Sequence, residues 1–486
     1  MRINAILLLA ITFLVGASSW KKPAAPATPN IILIFMDDMG YGDLSCTGAL
    51  DYQTPNIDKL GFEGIRFTNF LAAQAVCSAS RAALMTGCYP NRVGIAGALN
   101  PVQKIGLNTD EVTIAEMLKQ KGYATGIFGK WHLGHHKQFL PLQQGFDEYL
   151  GVPYSNDMWP VDYDGKPITD ENDYRKKTYP TLPLIEGNEQ KETITDLSGQ
   201  DKLTTLYTER AVGFIKKNRN KPFFLYLPQS MVHVPLGVSA KFKGKSKQGL
   251  YGDVMMEIDW SIGQIMKTLK ENGLDKNTLV IFTSDNGPWI NFGNHAGSTG
   301  GLREGKGTVF EGGQRVPCLM RWKGTIPEGL ICNQLTSTID ILPTLARICG
   351  TKLPDNKIDG VEILSLMKGN INDTPRKYFY YYYAQNELRA VRRDNWKLML
   401  PHKVERTYES VLPGNNGFAG KYGNIEVPLA LYDLRRDAGE EYDVKEQHPE
   451  IVAELQKVAD VAREDLGDAL QQKQGKNVRP VGVLKE

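Results

Sequence analysis

The sequence predicts an α/β protein: a large, mostly parallel sheet sandwiched by helices, followed by a smaller C-terminal antiparallel sheet with one packed helix. Two observations carry that prediction. Short, wholly apolar runs alternate with amphipathic stretches over most of the chain, as in βαβ units whose sheet is covered on both faces. From about residue 371 short strand-like runs follow one another without helices between them, and the chain closes on a single amphipathic helix.

Ile31–Met36 reads as a fully buried strand, because successive apolar residues suit a strand covered on both sides. Thr113–Lys121 reads as a helix, with Ile114, Met117 and Leu118 spaced to share one face. Thr125–Phe128 is the next strand, followed by a helix at Leu203–Lys217, a strand at Phe223–Leu227, a helix at Val254–Leu269 and a strand at Leu279–Thr283. In the C-terminal part, Tyr378–Tyr383, Leu388–Val391, Trp396–Leu400 and Leu431–Leu434 are short strands. Ile451, Leu455, Val458 and Ala462 line one face of the closing helix. The stretch Asp162–Asp201, polar and rich in Pro, Gly and charge, reads as a long surface insertion. The chain thus divides into an α/β domain, residues 30–370, and an α+β subdomain, residues 371–486.

Ahead of the folded part, Arg2 precedes an apolar run from Ala5 to Val15 and then the small residues Gly16, Ala17, Ser18 and Ser19. A positive start, an apolar stretch too short to span a bilayer and small residues for cleavage make residues 1–19 a signal peptide. Residues 20–29 are a flexible Pro/Ala leader, and the expected destination is the periplasm or the medium. No later apolar run is long enough to cross a membrane. The 57 Lys and Arg against 55 Asp and Glu leave a net charge of +2, so no field of one sign favours nucleic acid or an anionic membrane surface. The six cysteines, Cys46, Cys77, Cys88, Cys318, Cys332 and Cys349, show no zinc-ligand spacing. In an oxidising compartment they allow one or two disulfides that the sequence does not pair.

Open α/β sheets bind ligands at the carboxyl ends of their strands. The first strand ends in Asp37-Asp38, and Leu279–Thr283 leads through Ser284 to Asp285-Asn286-Gly287. Adjacent carboxylates repel one another and lose hydration unless they share a cation, and an all-oxygen donor set suits calcium or magnesium. Lys130 and His132 directly follow the strand ending at Phe128, which directs a cation and a potential acid or base into the same crevice. His233 and His295 also follow strands. In Val76-Cys77-Ser-Ala-Ser-Arg81-Ala-Ala-Leu-Met-Thr-Gly87, Ser80–Met85 begins a helix that stops near Gly87, so Cys77 stands at a helix N-terminus, where partial positive charge favours anions. On those grounds alone a buried structural thiol would be the commoner reading.

Cys77-Ser-Ala-Ser-Arg81 with the downstream Thr86-Gly87 resembles the signature of the formylglycine sulfatases, in the alkaline phosphatase superfamily. Further motifs follow in that family's order: Asp37-Asp38-Met-Gly40, Thr54-Pro-Asn-Ile-Asp58, Gly129-Lys-Trp-His-Leu-Gly134, Gly145-Phe-Asp147, Ser284-Asp-Asn-Gly287, Gly305-Lys-Gly307, Glu311-Gly-Gly313 and Leu431-Tyr-Asp-Leu434. Gly151-Val-Pro-Tyr-Ser155 with Asp157 is similar to the branch that holds arylsulfatase A and the N-acetylgalactosamine-6-sulfatases. Ala79 occupies the place where the motif most often has Pro; the resemblance then implies a bacterial source and maturation by an anaerobic radical enzyme, which accepts Ala.

The resemblance implies a role for each matching residue. Cys77, oxidised to formylglycine, is the nucleophile and binds one calcium ion with Asp37, Asp38, Asp285 and Asn286. Arg81 holds the hydrated aldehyde, Lys130 and Lys306 clamp sulfate oxygens, His233 protonates the leaving alcohol and His132 assists release of sulfate. Ser155, His295 and Arg303 are the expected substrate contacts. The expected activity is hydrolysis of sulfate esters on a sulfated glycan, with galactose or N-acetylgalactosamine sulfates preferred by analogy. Two other readings stay open: a phosphomonoester or phosphonate hydrolase of the same superfamily, and a non-catalytic glycan-binding protein with an unmodified Cys77.

Overall fold

The computed structural model describes residues 28–409 and 411–485. The expected signal peptide and most of the leader lie outside the described residues. A ten-stranded sheet forms the centre of the molecule. Its strands, in chain order, are β1 (Asn30–Met36), β2 (Ile65–Phe67), β3 (Ala124–Phe128), β4 (Glu148–Gly151), β5 (Leu182–Glu186), β6 (Glu189–Ile194), β7 (Phe223–Pro228), β8 (Thr278–Ser284), β9 (Cys318–Arg321) and β10 (Leu330–Cys332). Across the sheet they run β10-β2-β9-β8-β1-β7-β3-β4-β5-β6. The five central strands, β8, β1, β7, β3 and β4, pair in parallel, while β9 and β5 run against their neighbours. The predicted mostly parallel sheet is therefore present.

Alternation along β1 explains its unbroken apolar run. Ile31, Leu33 and Phe35 join one core, and Ile32, Ile34 and Met36 join the other. The first core is covered by the helices α2 (Cys77–Thr86), α3 (Ile114–Lys119) and α6 (Ile341–Cys349). The second is covered by α1 (Pro55–Phe62), α4 (Leu203–Lys217) and α5 (Leu250–Glu271). Each fully buried Ile or Leu contributes about 1.5–3 kcal/mol, so the cores clamp the strand ends firmly. Thr113 caps α3, its hydroxyl accepting from the Glu116 backbone N–H and the Glu116 carboxylate accepting in return.

A separate four-stranded antiparallel sheet, Tyr378–Tyr383, Glu387–Arg393, Trp396–Met399 and Ala430–Asp433, packs against α7 (Pro449–Leu466). Its core also includes Leu71, Val309 and Phe310 from the central part of the chain. Residues 162–201, expected to be a long surface insertion, are not without regular structure. They carry the β5–β6 hairpin that extends the main sheet at one edge. None of the six cysteines is disulfide-bonded. Among the described residues, no helix is long and apolar enough to cross a membrane.

Candidate active site

Parallel register builds the site. Met36 of β1 lies opposite Ser284 of β8, so Asp37-Asp38 and Asp285-Asn286 leave adjacent strands at the same level. The Asp38 backbone N–H donates to Asp285 Oδ1 at 3.1 Å, and Asn286 Nδ2 donates to Asp38 Oδ1 at 2.7 Å. On the other side of β1, the Val232 N–H donates to the Asp37 carbonyl at 2.9 Å, which brings the segment after β7 and its His233 alongside. Asp38 adopts a left-handed conformation with φ 61°, uncommon for a residue with a side chain and held here by these contacts.

Lys130 arrives from β3. Gly129 has φ 140°, and a side chain there would collide with the Pro228 carbonyl, so only glycine lets the chain pass this close to β7. Lys130 Nζ then donates to Asp37 Oδ2 at 2.5 Å and to Ser155 Oγ at 3.0 Å. Cys77 is the first residue of α2, which ends at Gly87 with φ 68°. One turn on, Arg81 Nη2 donates to Asp285 Oδ2 at 2.8 Å and lies 3.4 Å from Asp37 Oδ2, while Nη1 donates to the Lys130 carbonyl at 2.9 Å. Lys306 Nζ lies 2.8 Å from Asp38 Oδ1 and 2.9 Å from Oδ2, and 4.4 Å from the centre of the Trp289 ring. His233 Nε2 lies 3.6 Å from Asp38 Oδ2. Ligand atoms of Asp37, Asp38, Cys77 and His233 all fall within 4.8 Å of one another.

These groups are almost wholly buried, and their protonation follows from that. Burial favours a neutral Asp37, yet Lys130 and Arg81 prevail and hold its carboxyl far below the usual range. Burial and the neighbouring Asp37 charge raise Asp285 to about 7. Burial pushes the Cys77 thiol up to about 12, so it is a poor nucleophile near neutral pH. Burial depresses both histidines, with Lys130 adding to the effect on His132 and Lys306 to that on His233.

Two hydrogen bonds fix the histidine tautomers. A carbonyl only accepts, so His132 Nε2 carries the hydrogen given to the Leu99 carbonyl at 2.7 Å. Its Nδ1 is then a buried lone pair without a partner. In His233 the bond runs from Nδ1 to the Val234 carbonyl at 2.5 Å, leaving Nε2 to exchange a proton on the Asp38 side.

The donor set fits a hard divalent cation. Asp37 Oδ1 and Asn286 Oδ1 are buried acceptors with no hydrogen-bond partner, between carboxylates that otherwise repel. Three carboxylates, Asp37, Asp38 and Asp285, face three cations, Arg81, Lys130 and Lys306. A dication would tip that balance positive and suit an anionic ester.

Asp37, Asp38, Cys77, Arg81, Lys130, His132, Ser155, His233, Asp285, Asn286 and Lys306 are therefore all buried at or against the strand ends. His295 and Arg303 lie outside that constellation. His295 ends the 3-10 segment Ile290–His295, packed by Gly417. The Arg303 guanidinium is engaged by the Glu409 carboxylate and by the Glu440 carbonyl at 2.8 Å. Sequence reasoning missed Trp289 beneath Lys306 and Tyr408, whose hydroxyl donates to the Lys306 carbonyl at 2.7 Å. An aromatic in a loop carries no periodic signal that would have found either.

Comparison with known proteins places this geometry in context. The family profile described as Sulfatase matches residues 29–351, and the one described as the C-terminal region of aryl-sulfatase matches residues 374–483. The chain is 37% identical over 463 residues to N-acetylgalactosamine-6-sulfatase of Mus musculus, covering 90% of this chain and 86% of that protein. It is 38% identical over 443 residues to arylsulfatase A of Bos taurus, covering 89% and 86%. Among solved structures, the PsFucS1 sulfatase from Pseudoalteromonas sp. superposes with a TM-score of 0.81 at 27% identity, covering 94% of this chain and 92% of that one.

Proposed function

The chain belongs to the sulfatase family, and on that premise we propose that it is an exported sulfuric ester hydrolase acting on sulfated sugars, with formylglycine formed from Cys77 and a calcium ion at the paired strand ends. The observation that carries the reading is Cys77 at the first position of α2, with Asp37, Asp38 and His233 ligand atoms in one 4.8 Å cluster. Supporting the sugar assignment, the Mus musculus relative is an N-acetylgalactosamine-6-sulfatase. Galactose or N-acetylgalactosamine sulfates are therefore the preferred substrates. The Arg2–Ser19 segment supports export to the periplasm or beyond, and Ala79 supports maturation by the anaerobic radical route.

Asp37, Asp38, Asp285 and Asn286, with residue 77, would hold the calcium, which when bound polarises the ester and favours ionisation of the attacking hydroxyl. Oxidation of Cys77 would replace an unreactive thiol by an aldehyde hydrate, the source of that hydroxyl. The protein's own side chains do the rest. Lys130 and Lys306, already beside the carboxylates, present ammonium groups where negative charge grows on the sulfate oxygens. Arg81 holds Asp37 and Asp285 in place and adds positive charge at the start of α2. His233, through Nε2, gives its proton to the departing alcohol. His132, neutral and with a lone pair at Nδ1, takes the proton whose removal releases sulfate.

Two measurements test this reading. Mass spectrometry of the peptide holding Cys77, from protein made in a host with the radical maturase, should find the lighter aldehyde residue; thiol alone in active protein would end the formylglycine assignment. Turnover of the sulfate and phosphate esters of one aryl alcohol should favour the sulfate. A large preference for the phosphate would instead support a phosphohydrolase.

A further inference from the structure

A continuous chain of contacts leads from the sulfate clamp to the insertion 162–201. Lys306 Nζ stands over Trp289, whose ring centre is 4.7 Å from that of Phe292. Phe292 is in turn 4.9 Å from Tyr163, and the Arg175 guanidinium lies 5.2 Å from the Tyr163 ring centre. The Tyr163 hydroxyl donates to Asp157 Oδ2 at 3.3 Å. Asp157 stands two residues after Ser155, whose hydroxyl accepts from Lys130 at 3.0 Å, so this chain of contacts borders the sulfate clamp at both ends.

At the end of this chain two polar atoms lack partners. Asp157 Oδ1, an acceptor, and Arg175 Nη1, a donor, are both shielded from solvent and unbonded. A buried polar atom without a partner costs about 1–3 kcal/mol, so on either side of Tyr163 one atom favours a donor and the other an acceptor. A sugar hydroxyl offers both, and the aromatic rings beside it suit the apolar face of a pyranose.

Charge limits what that sugar can carry. The remaining Arg175 nitrogens are taken by Asp173, at 2.9 and 3.3 Å, and by Asp162 at 3.4 Å. Lys176 and Lys177, next along the short helix Tyr174–Thr178, turn away to Glu171 and Asn172. Two carboxylates therefore engage one guanidinium, so a second anionic group on the sugar meets net negative charge there.

We propose that Asp157, Tyr163 and Arg175 form a sugar subsite beside the sulfate cleft, selective for a neutral, hydroxyl-bearing ring over one with a second sulfate or a carboxylate. The inference rests on the sugar-sulfatase reading above.

Calorimetry on a Cys77→Ser protein, which binds without turnover, separates this subsite from the proton-donor role of His233. The ligands are a monosulfated N-acetylgalactosamine, its disulfated form and 4-nitrocatechol sulfate. Asp157→Ala should weaken the monosulfated sugar about tenfold or more and the aryl sulfate less than about threefold. The parent should bind the monosulfated sugar more tightly than the disulfated one. Equal weakening of sugar and aryl ester, no weakening at all, or a preference for the disulfated sugar would overturn the subsite. Asp157→Asn repeats the test should the alanine variant fold poorly. Binding of neither sulfate ester by the parent would instead bring down the sulfatase reading, and this inference with it.

Discussion

Arg81 Nη2 bridges Asp285 Oδ2 at 2.8 Å and Asp37 Oδ2 at 3.4 Å, so one guanidinium ties two adjacent strand ends together. All three side chains are fully buried. Removing the cation leaves two carboxylates facing each other out of water, and breaking a buried pair this way costs about 3–5 kcal/mol. Arg81→Ala should lose turnover, and its denaturant midpoint should fall accordingly in metal-free buffer. Added calcium should recover part of that stability, because a second cation can take up the same carboxylate charge. Calcium-independent stability equal to the parent would contradict the bridging role.

Metal removal gives a second prediction, with a pH dependence of definite sign. Asp285 is raised to about 7, so between the ordinary carboxylate range and that pH the metal-free native state holds a proton that the unfolded chain has already lost. That proton stabilises the native state below the ordinary carboxylate range, and its contribution is lost as pH rises through about 7. A divalent cation must displace the same proton, so metal affinity grows over this interval. The gain in unfolding free energy on adding calcium to chelator-treated protein, read from denaturant melts, should therefore be larger at pH 8 than at pH 5.5, about 2–3 kcal/mol at a hundredfold excess over Kd. A pH-independent calcium effect would remove Asp285 from the ligand set.

Much of this site could be read from the chain, for a physical reason. Asp37-Asp38 and Asp285-Asn286 each follow a wholly apolar run, and apolar runs mark buried parallel strands whose ends carry function. That β1 and β8 are neighbours was legible only through the family's motif order, because residues 248 positions apart leave no local trace of their pairing. The β5–β6 hairpin was hidden differently. Glu189, Gln190, Lys191 and Glu192 are exposed along β6, so this edge strand lacks the apolar alternation by which a strand is recognised. Arg303 illustrates a different limit: the partners of a cation close in sequence to Lys306, the Glu409 carboxylate and the Glu440 carbonyl, are brought to it only by the folded chain.

His233 predicts the shape of the rate profile. Its proton affinity is depressed by burial and by Lys306, while Asp38 and Asp157 act in the opposite direction. As a proton donor it works only when protonated, so kcat/KM for a sugar sulfate should decline with rising pH, and the decline should begin below the ordinary histidine range. An aryl sulfate has a better leaving group and should show a shallower decline. Asp157→Asn removes a charge that favours the protonated ring, so the descending limb should move to lower pH. A shift to higher pH would show that Asp157 does not act on His233 through its charge.

Lys306 is held from its own backbone as well as its ammonium group, and that hold comes from the C-terminal part of the chain. The Tyr408 hydroxyl donates to the Lys306 carbonyl at 2.7 Å. Two residues before Lys306, Glu304 sits at φ 60° and its carboxylate accepts from the Thr407 hydroxyl, the Tyr408 N–H at 2.9 Å and the Glu409 N–H at 3.3 Å. Tyr408→Phe deletes one hydrogen bond without a change of shape, so turnover should fall about two- to tenfold with little loss of stability. Glu304→Ala leaves the Tyr408 N–H and the Thr407 hydroxyl without their acceptor, while the Glu409 N–H keeps only the Thr407 oxygen at 3.2 Å, and should cost more in both. If these contacts act by positioning the ammonium group, their effect on turnover must vanish in a Lys306→Ala background, where there is nothing left to aim. A double-mutant cycle on kcat/KM reads this directly. Additive losses would mean that Glu304 and Tyr408 support the fold alone, whereas a double variant no slower than Lys306→Ala by itself would establish that the C-terminal segment sets the geometry of the sulfate clamp.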